Sequence, residues 1–520
     1  MQDGRLRWLP GVSLCIIALA LGVGCPQDTP DELPLVEGEH LMRFVHLSDT
    51  QIVDQESPAR LVRFSPFALS AWRPQEAYGV QTLDATLRII NDYADRKGDE
   101  DFPIDFLIAT GDLTDGCQHN ELRWFLDTMD GKNLSIDSGE LDGADRVQNP
   151  LDNPTLTYEA EGISPMIPWY TVFGNHDGLA SGVFSIDRDA EDPADWTAQL
   201  LRPISAIIGL HRQFPPRNEF NPITAFSPAI ITAAKESANA ETLELDLWQL
   251  RAGAIAADAD RRFIDRHEFI HEHFQTASLP EGHGFTESNK ATGLARYSVR
   301  PKADVPIRVI VLDTVPPSSR PGLPAHYGVM TREQMDDFLA PEIEIAEEAN
   351  EFVIVATHHP SADFDLPYFG EKVGTQKFRE FLATRPNVIA HICGHTHRNF
   401  VRRIEGANPY YEIETGSIID YPQEARILDI YYDAETGMVR LKSQMISHME
   451  NPTRLSAESF RRSEIHASFY ASVKLQGDAQ LLQGQLEEGL FAGWPEQIPS
   501  KTERFGLESD RNFDVVIFRD

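Results

Sequence analysis

Residues 44–55 read FVHLSDTQIVDQ. A strand-forming apolar run stops at Ser48, and a carboxylate, Asp49, stands directly behind it. Short runs rich in Val, Ile and Phe, bounded by Gly, Asp or Asn, read as buried strands. Four more runs share the design: PIDFLIATGDLTD at 103–115, MIPWYTVFGNHD at 166–177, EFVIVATHH at 351–359 and NVIAHICGHTH at 387–397. Each ends in residue types that bind metals. Helical patterns follow the first two. EAYGVQTLDATLRIINDYADR (76–96) places Val80, Leu83, Leu87, Ile90 and Tyr93 at helix spacing, and NELRWFLDTM (120–129) is a second helix. Strands alternating with helices predict α/β layering with substantial parallel pairing. Sites in such sheets gather beyond the carboxyl ends of strands, where all five polar clusters fall.

The clusters contain Asp49 and Gln51; Asp112 and Asp115; Asn175, His176 and Asp177; His358 and His359; and His395 and His397. A lone GD or HH carries little information, but five clusters in this order, each after an apolar run, carry much. In order, DTQ, GDLTD, GNHD, THHP and GHTH resemble the calcineurin-like metallophosphoesterases, whose pattern is D-x-H, GD-x-x-D, GNH-[DE], a lone H and GH-x-H. The resemblance covers about Leu41 to Ile430 apart from an insert. DQESPAR, AWRPQEAY and NELRWFLDTMDG look like a bacterial branch of that family, which brings no substrate with it.

The resemblance implies two mixed β-sheets packed as a sandwich and flanked by helices, with a pair of divalent metals at the site. It places Asp112 between the metals. Asp49 and His397 would bind the first, with Gln51 where the family has histidine. Asn175, His358 and His395 would bind the second, His358 being preferred to His359 because it stands two residues before Pro360. His176 would sit near the leaving group, oriented by Asp177, and Asp115 would support a ligand from behind. The implied reaction is hydrolysis of a phosphoester, mono- or diester, by a hydroxide held between the metals.

Elementary chemistry agrees with such a set. Imidazole suits Zn and Fe, and carboxylate oxygen suits Mn as well, so a mixed donor set implies Mn, Fe or Zn. Two divalent ions bring four positive charges and Asp49 and Asp112 cancel two, leaving a surplus that attracts phosphate. Histidine suits proton transfer because it titrates near neutrality. Gln51 offers a neutral, weaker donor, so the first metal is expected to be held less tightly. A metal-poor binding protein on the same fold is the alternative that Gln51 motivates. Strand alternation turns His46 away from the Asp49 side, a structural position, while His119 and Arg398 flank the site loops.

The chain has 520 residues, 41% hydrophobic and 24% charged, which fits a globular fold. A formal net charge of -35 repels phosphate backbones and disfavours nucleic-acid partners. Residues 1–24 read as an export signal: Arg5 and Arg7 precede a short apolar run from Val12 to Gly24. GVGC ending at Cys25 resembles a bacterial lipoprotein signal, with Gly22 where Leu is usual. It implies a lipid anchor on Cys25, a membrane partner, and a periplasmic or cell-surface location. A phosphoester small molecule or lipid head group is the expected substrate. Residues 25–40 read as a tether. Export permits a Cys117–Cys393 bridge; two buried free thiols is the plainer reading.

A mainly helical cap insert is expected at 178–285, a return to strand at 301–316, and a C-terminal extension at 438–520, leaving 41–437 as the metallophosphoesterase domain. On the insert, HEFIH at 267–271 matches the zinc-protease helix HExxH. Phe274 occupies the glycine place of the extended pattern, so a packing helix is the stronger reading.

Overall fold

The computed structural model describes residues 38–54, 57, 73, 75–96, 102–138, 157–180, 182, 184–185, 258–316, 327–365, 371–475 and 501–518. The apolar runs become strands of two six-stranded mixed sheets. In chain order the strands are β1 (Glu39–Leu47), β2 (Phe106–Ala109), β3 (Trp169–Thr171), β4 (Tyr297–Val299), β5 (Ile307–Val311), β6 (Phe352–Ala356), β7 (Val388–Cys393), β8 (Phe400–Ile404), β9 (Tyr410–Glu414), β10 (Glu424–Asp433), β11 (Met438–Ser447) and β12 (Asp514–Phe518). The first sheet has the order β12-β11-β10-β1-β2-β3, and the second β8-β9-β7-β6-β5-β4. β1, β2 and β3 run parallel, as do β5, β6, β7 and β9. β2, β3 and β7 are buried at every residue, as strands covered on both faces require.

Alternation decides which way the second sheet faces. Ile307, Val309 and Val311 join Phe44, Leu107 and Ile427 of the first sheet in one apolar core. Ile310 and Leu312 point the other way, onto Leu339, Ile343 and Phe378 of outer helices. Phe352 and Tyr432 meet across the sandwich with ring centroids 5.0 Å apart. Helix α1 (Gly79–Asp95) buries Val80, Leu83, Leu87 and Ile90. Helix α2 (His119–Met129) starts where Glu121 accepts from the Gln118 amide at 3.2 Å. The short α3 (Asn175–Gly178) follows β3.

Strand pairing crosses two of the boundaries read from the sequence. Glu39 and His40, assigned to the tether, already pair with Tyr432 and Tyr431 on β10. The extension at 438–520 supplies β11 and β12 of the first sheet, so the sheet does not end at residue 437. Of the cap insert, 186–257 lies outside the described residues. Its described part packs into the core: Ile264, Phe269, Ile270 and Phe285 are buried. The signal, Cys25 and most of the tether also lie outside the described residues. No helix among those described is long and apolar enough to cross a membrane.

HEFIH forms helix α4 (Arg266–Glu272). His267 and His271 are exposed, Asp265 caps the helix by accepting from the Glu268 amide, and the Glu268 carboxylate pairs with Arg262. Among the described residues it belongs to no metal-holding group. Helix α5 (Arg454–Leu475) lies on α1, with Thr82 Oγ1 donating to Ser459 Oγ at 2.8 Å. Cys117 and Cys393 are buried free thiols.

Candidate metal centre

The loops leaving β1, β2, β3, β6 and β7 converge at one end of the sandwich. Close approach needs glycines there. A Cβ on Gly174 would overlap the Asp112 backbone amide and carboxylate, and one on Gly394 would overlap Ser48. Five of the candidate ligands hold left-handed backbone: Asp49 (φ 52°), Gln51 (40°), Asp112 (52°), His395 (69°) and His397 (53°). Such conformations are uncommon for non-glycine residues and cluster at functional sites.

Seven sequence-predicted ligands form one continuous set of contacts. Asp49 Oδ1 lies 3.2 Å from His397 Nε2. Gln51 Nε2 lies 3.3 Å from His397 Nε2 and 3.2 Å from Asp112 Oδ2. The other Asp112 oxygen, Oδ1, lies 3.2 Å from His358 Nε2. His358 Nε2 in turn is 3.0 Å from Asn175 Oδ1 and 3.3 Å from His395 Nδ1. Two groups of side chains can hold a cation with ligand atoms within 4.8 Å of one another: Asp49, Asp112 and His358, and His358, His359 and His395. His359 turns Nδ1 to Thr314 Oγ1 at 2.8 Å, whereas His358 faces Asp112 and Asn175.

The hydrogen bonds prepare these groups as ligands. His358 Nδ1 donates to the Thr110 carbonyl at 2.7 Å, which leaves Nε2 turned inward. Asp49 Oδ2 accepts from Ser48 Oγ at 2.6 Å and from the His395 amide at 3.0 Å. Burial works against ionisation of Asp49 and Asp112. The imidazoles of His397 beside Asp49 and His358 beside Asp112 outweigh it, holding both carboxyls below their ordinary range. Burial lowers His358, but the Asp112 carboxylate prevails and raises it to about 9.

A cation fits this donor set. Asp49 Oδ1 and Gln51 Oε1 are buried and have no hydrogen-bond partner. Buried polar atoms are rarely left so, and both stand among oxygen and nitrogen donors suited to borderline divalent ions.

The remaining predicted residues are placed as follows. Asp177 does not orient His176. Its carboxylate accepts from the amides of Leu113 (2.8 Å), Thr114 (3.0 Å) and Gly174 (3.0 Å), tying two site loops together. His176 is held by Asp115, whose carbonyl accepts from Nδ1 at 2.6 Å. The Asp115 carboxylate binds Arg73 Nη1 at 2.9 Å instead of touching a ligand. His46 sits between Thr110 Oγ1 (2.9 Å) and Thr415 Oγ1 (2.8 Å), and burial lowers it to about 3. His119 faces Asp260 and Glu272 on the insert, and Arg398 binds Glu414.

Sequence reading missed Asp420 and Asp363. Asp420 Oδ2 accepts from His397 Nδ1 at 2.7 Å, and Asp363 Oδ2 lies 3.6 Å from His395 Nε2. Asp420 stands in GSIIDYPQE, and no motif spacing marks it.

Residues 42–399 match the calcineurin-like phosphoesterase family. A dimetal phosphatase from Danio rerio is a similar solved structure, at 12% identity and a TM-score of 0.33, covering 79% of this chain and 100% of its own. No curated protein matches. With the family match spanning more than half of the sequence, this chain belongs to the calcineurin-like phosphoesterases.

Proposed function

We propose that the protein is a phosphoester hydrolase with two cation positions that share Asp112. The first is formed by Asp49, Gln51, Asp112 and His397, the second by Asp112, Asn175, His358 and His395. One observation carries this reading. The two carboxylate oxygens of Asp112 face different donor groups, Oδ2 toward Gln51 and Oδ1 toward His358. Bound divalent ions supply positive charge that draws in a phosphate and stabilises charge growing on its oxygens.

The protein's own groups do the rest. Asp112 Oδ1 accepts from the His176 amide at 2.8 Å, which fixes that residue beside the shared carboxylate. His176 Nδ1 donates to a carbonyl, which can only accept, so the exchanging proton is the one on Nε2. The side chain keeps 19% of its surface exposed, enough to meet a substrate. It is the group to protonate the departing oxygen. Small phosphoesters or lipid head groups are the substrates proposed, since a net charge of -35 opposes nucleic acids.

The test joins metal counting to hydrolysis. Protein purified with Mn is expected to hold two equivalents per chain and to cleave an aryl phosphate or a bis-aryl phosphate. His176→Ala is expected to lower turnover by roughly 10²–10⁴-fold and leave both equivalents in place. Metal-replete protein that holds none, and cleaves neither ester, would establish the metal-poor binding protein that Gln51 suggests. Export and lipidation at Cys25 are part of the proposal, supported by the sequence of residues 1–25. Fatty-acid labelling that survives Cys25→Ala would rule the anchor out.

A further inference from the structure

Asp420 is 1% exposed and lies between β9 and β10. Its Oδ2 accepts from His397 Nδ1 at 2.7 Å, with Arg504 Nη1 at 2.6 Å and Arg73 Nε at 3.3 Å from the same oxygen. Oδ1 accepts from Gln75 Nε2 at 2.9 Å, and His466 Nδ1 on α5 lies 4.0 Å away. Arg73 also binds Asp115. Two carboxylates and two guanidiniums thus balance one another in a buried layer behind the first cation position. Burial opposes the Asp420 charge, but Arg504 and Arg73 hold its carboxyl well below the usual carboxylate range.

A carboxylate on Nδ1 selects one tautomer of an imidazole, fixes its ring and raises the basicity of the other nitrogen. Here the other nitrogen is His397 Nε2, which faces Asp49 and Gln51. This is the position where an amide replaces an imidazole, so the quality of its remaining nitrogen ligand matters most.

Arg504 comes from the far end of the chain, and its segment grips the same loop a second time. The Asn399 amide donates to the Arg504 carbonyl at 3.1 Å, and Asn399 Nδ2 to the Phe505 carbonyl at 3.3 Å. The Val401 amide donates to Asp510 Oδ1 at 3.0 Å. His397 is therefore braced from both sides, at its ring through Asp420 and at its backbone through residue 399.

We propose that Asp420 is a positioning residue for His397, and that Arg73 and Arg504 hold it there, making residues 501–511 part of the first cation position. This rests on the two-cation reading above. The experiment titrates Mn²⁺ alone into the full-length, cation-stripped protein against a chelator and resolves the affinity of each equivalent. Asp420→Asn is expected to weaken one equivalent by roughly 10–100-fold and spare the other. Arg504→Gln is expected to weaken the same equivalent by a smaller factor. Both equivalents unchanged in the variants, or both weakened alike, overturns the positioning role. If Asp420→Asn does not fold, Arg504→Gln decides by the same criterion. Wild-type protein binding fewer than two equivalents overturns the two-cation reading and this inference with it.

Discussion

Gln51 is where this site departs from its family. Its amide nitrogen sits beside Asp112 Oδ2 and His397 Nε2, while its oxygen has no partner. A half-turn of the amide exchanges the two atoms and puts a carbonyl oxygen among the donors. An amide oxygen is a weaker ligand than imidazole for borderline ions. Gln51→His is therefore expected to tighten the weaker cation by about tenfold, ~1.4 kcal/mol, in a chelator competition. Unchanged or weaker binding would show that Gln51 stands outside the ligand set. At this scale the residues that gather at the site were legible, because motif order names the residue types. The partners of those residues were not. Asp177 adjoins His176 in sequence, yet the site puts Asp115 behind the ring. Asp420 lies 23 positions from His397, a separation that sequence reading has no rule to bridge.

At the scale of elements, each candidate ligand sits just past a strand, Asn175 at the start of α3 and the others on tight loops. The strand ends could be read, since apolar runs stop at polar residues. The loop conformations could not, because left-handed backbone at Asp49, Gln51, Asp112, His395 and His397 follows from tertiary packing. Non-glycine residues held this way cost on the order of 1–3 kcal/mol each. The closeness of the loops makes a further prediction. Gly174→Ala would push a methyl group into Asp112 and is expected to cost about 1–3 kcal/mol of stability. It should also lower cation content, because Asp112 serves both positions. Urea unfolding of the cation-stripped protein reads the first effect and elemental analysis the second. A variant of wild-type stability with full cation content would mean that the loops are looser than their contacts indicate.

For the whole molecule, the layered architecture was readable from the alternation of strands and helices. The membership of β12 was not, because it joins β11 from far along the chain and leaves no local mark; β11 forms a hairpin with β10 that turns at 434–437, a local signal the sequence reading passed over. Stability should also depend on pH in a defined direction. Burial holds His46 and His283 at about 3, and His273 and His448 at about 4. Each contributes stability that is complete above pH 6.5 and is lost as pH falls toward those values, since the unfolded chain takes up the proton first. Burial raises Asp177 and Asp363 to about 7 and pushes Glu121, Asp313 and Glu424 upward, and these act in the opposite sense. The histidine share is isolated by removing one of them. The change in urea midpoint from pH 7 to pH 5 is expected to be more favourable in His46→Asn than in the wild type; an identical change would contradict a buried neutral His46. The pairing of β1 with β10 has a consequence in time. Arg43 grips Asp429 across 386 positions. At roughly 5–20 residues per second, a ribosome needs about 20–80 s to make the intervening chain. For that interval the nascent LMRFVHL segment has no β10 beside it, and its bare edge invites pairing with other chains. Shielding of that edge until β10 is made, as a holding chaperone would give, is the expected outcome, and crosslinking of the nascent chain would detect it.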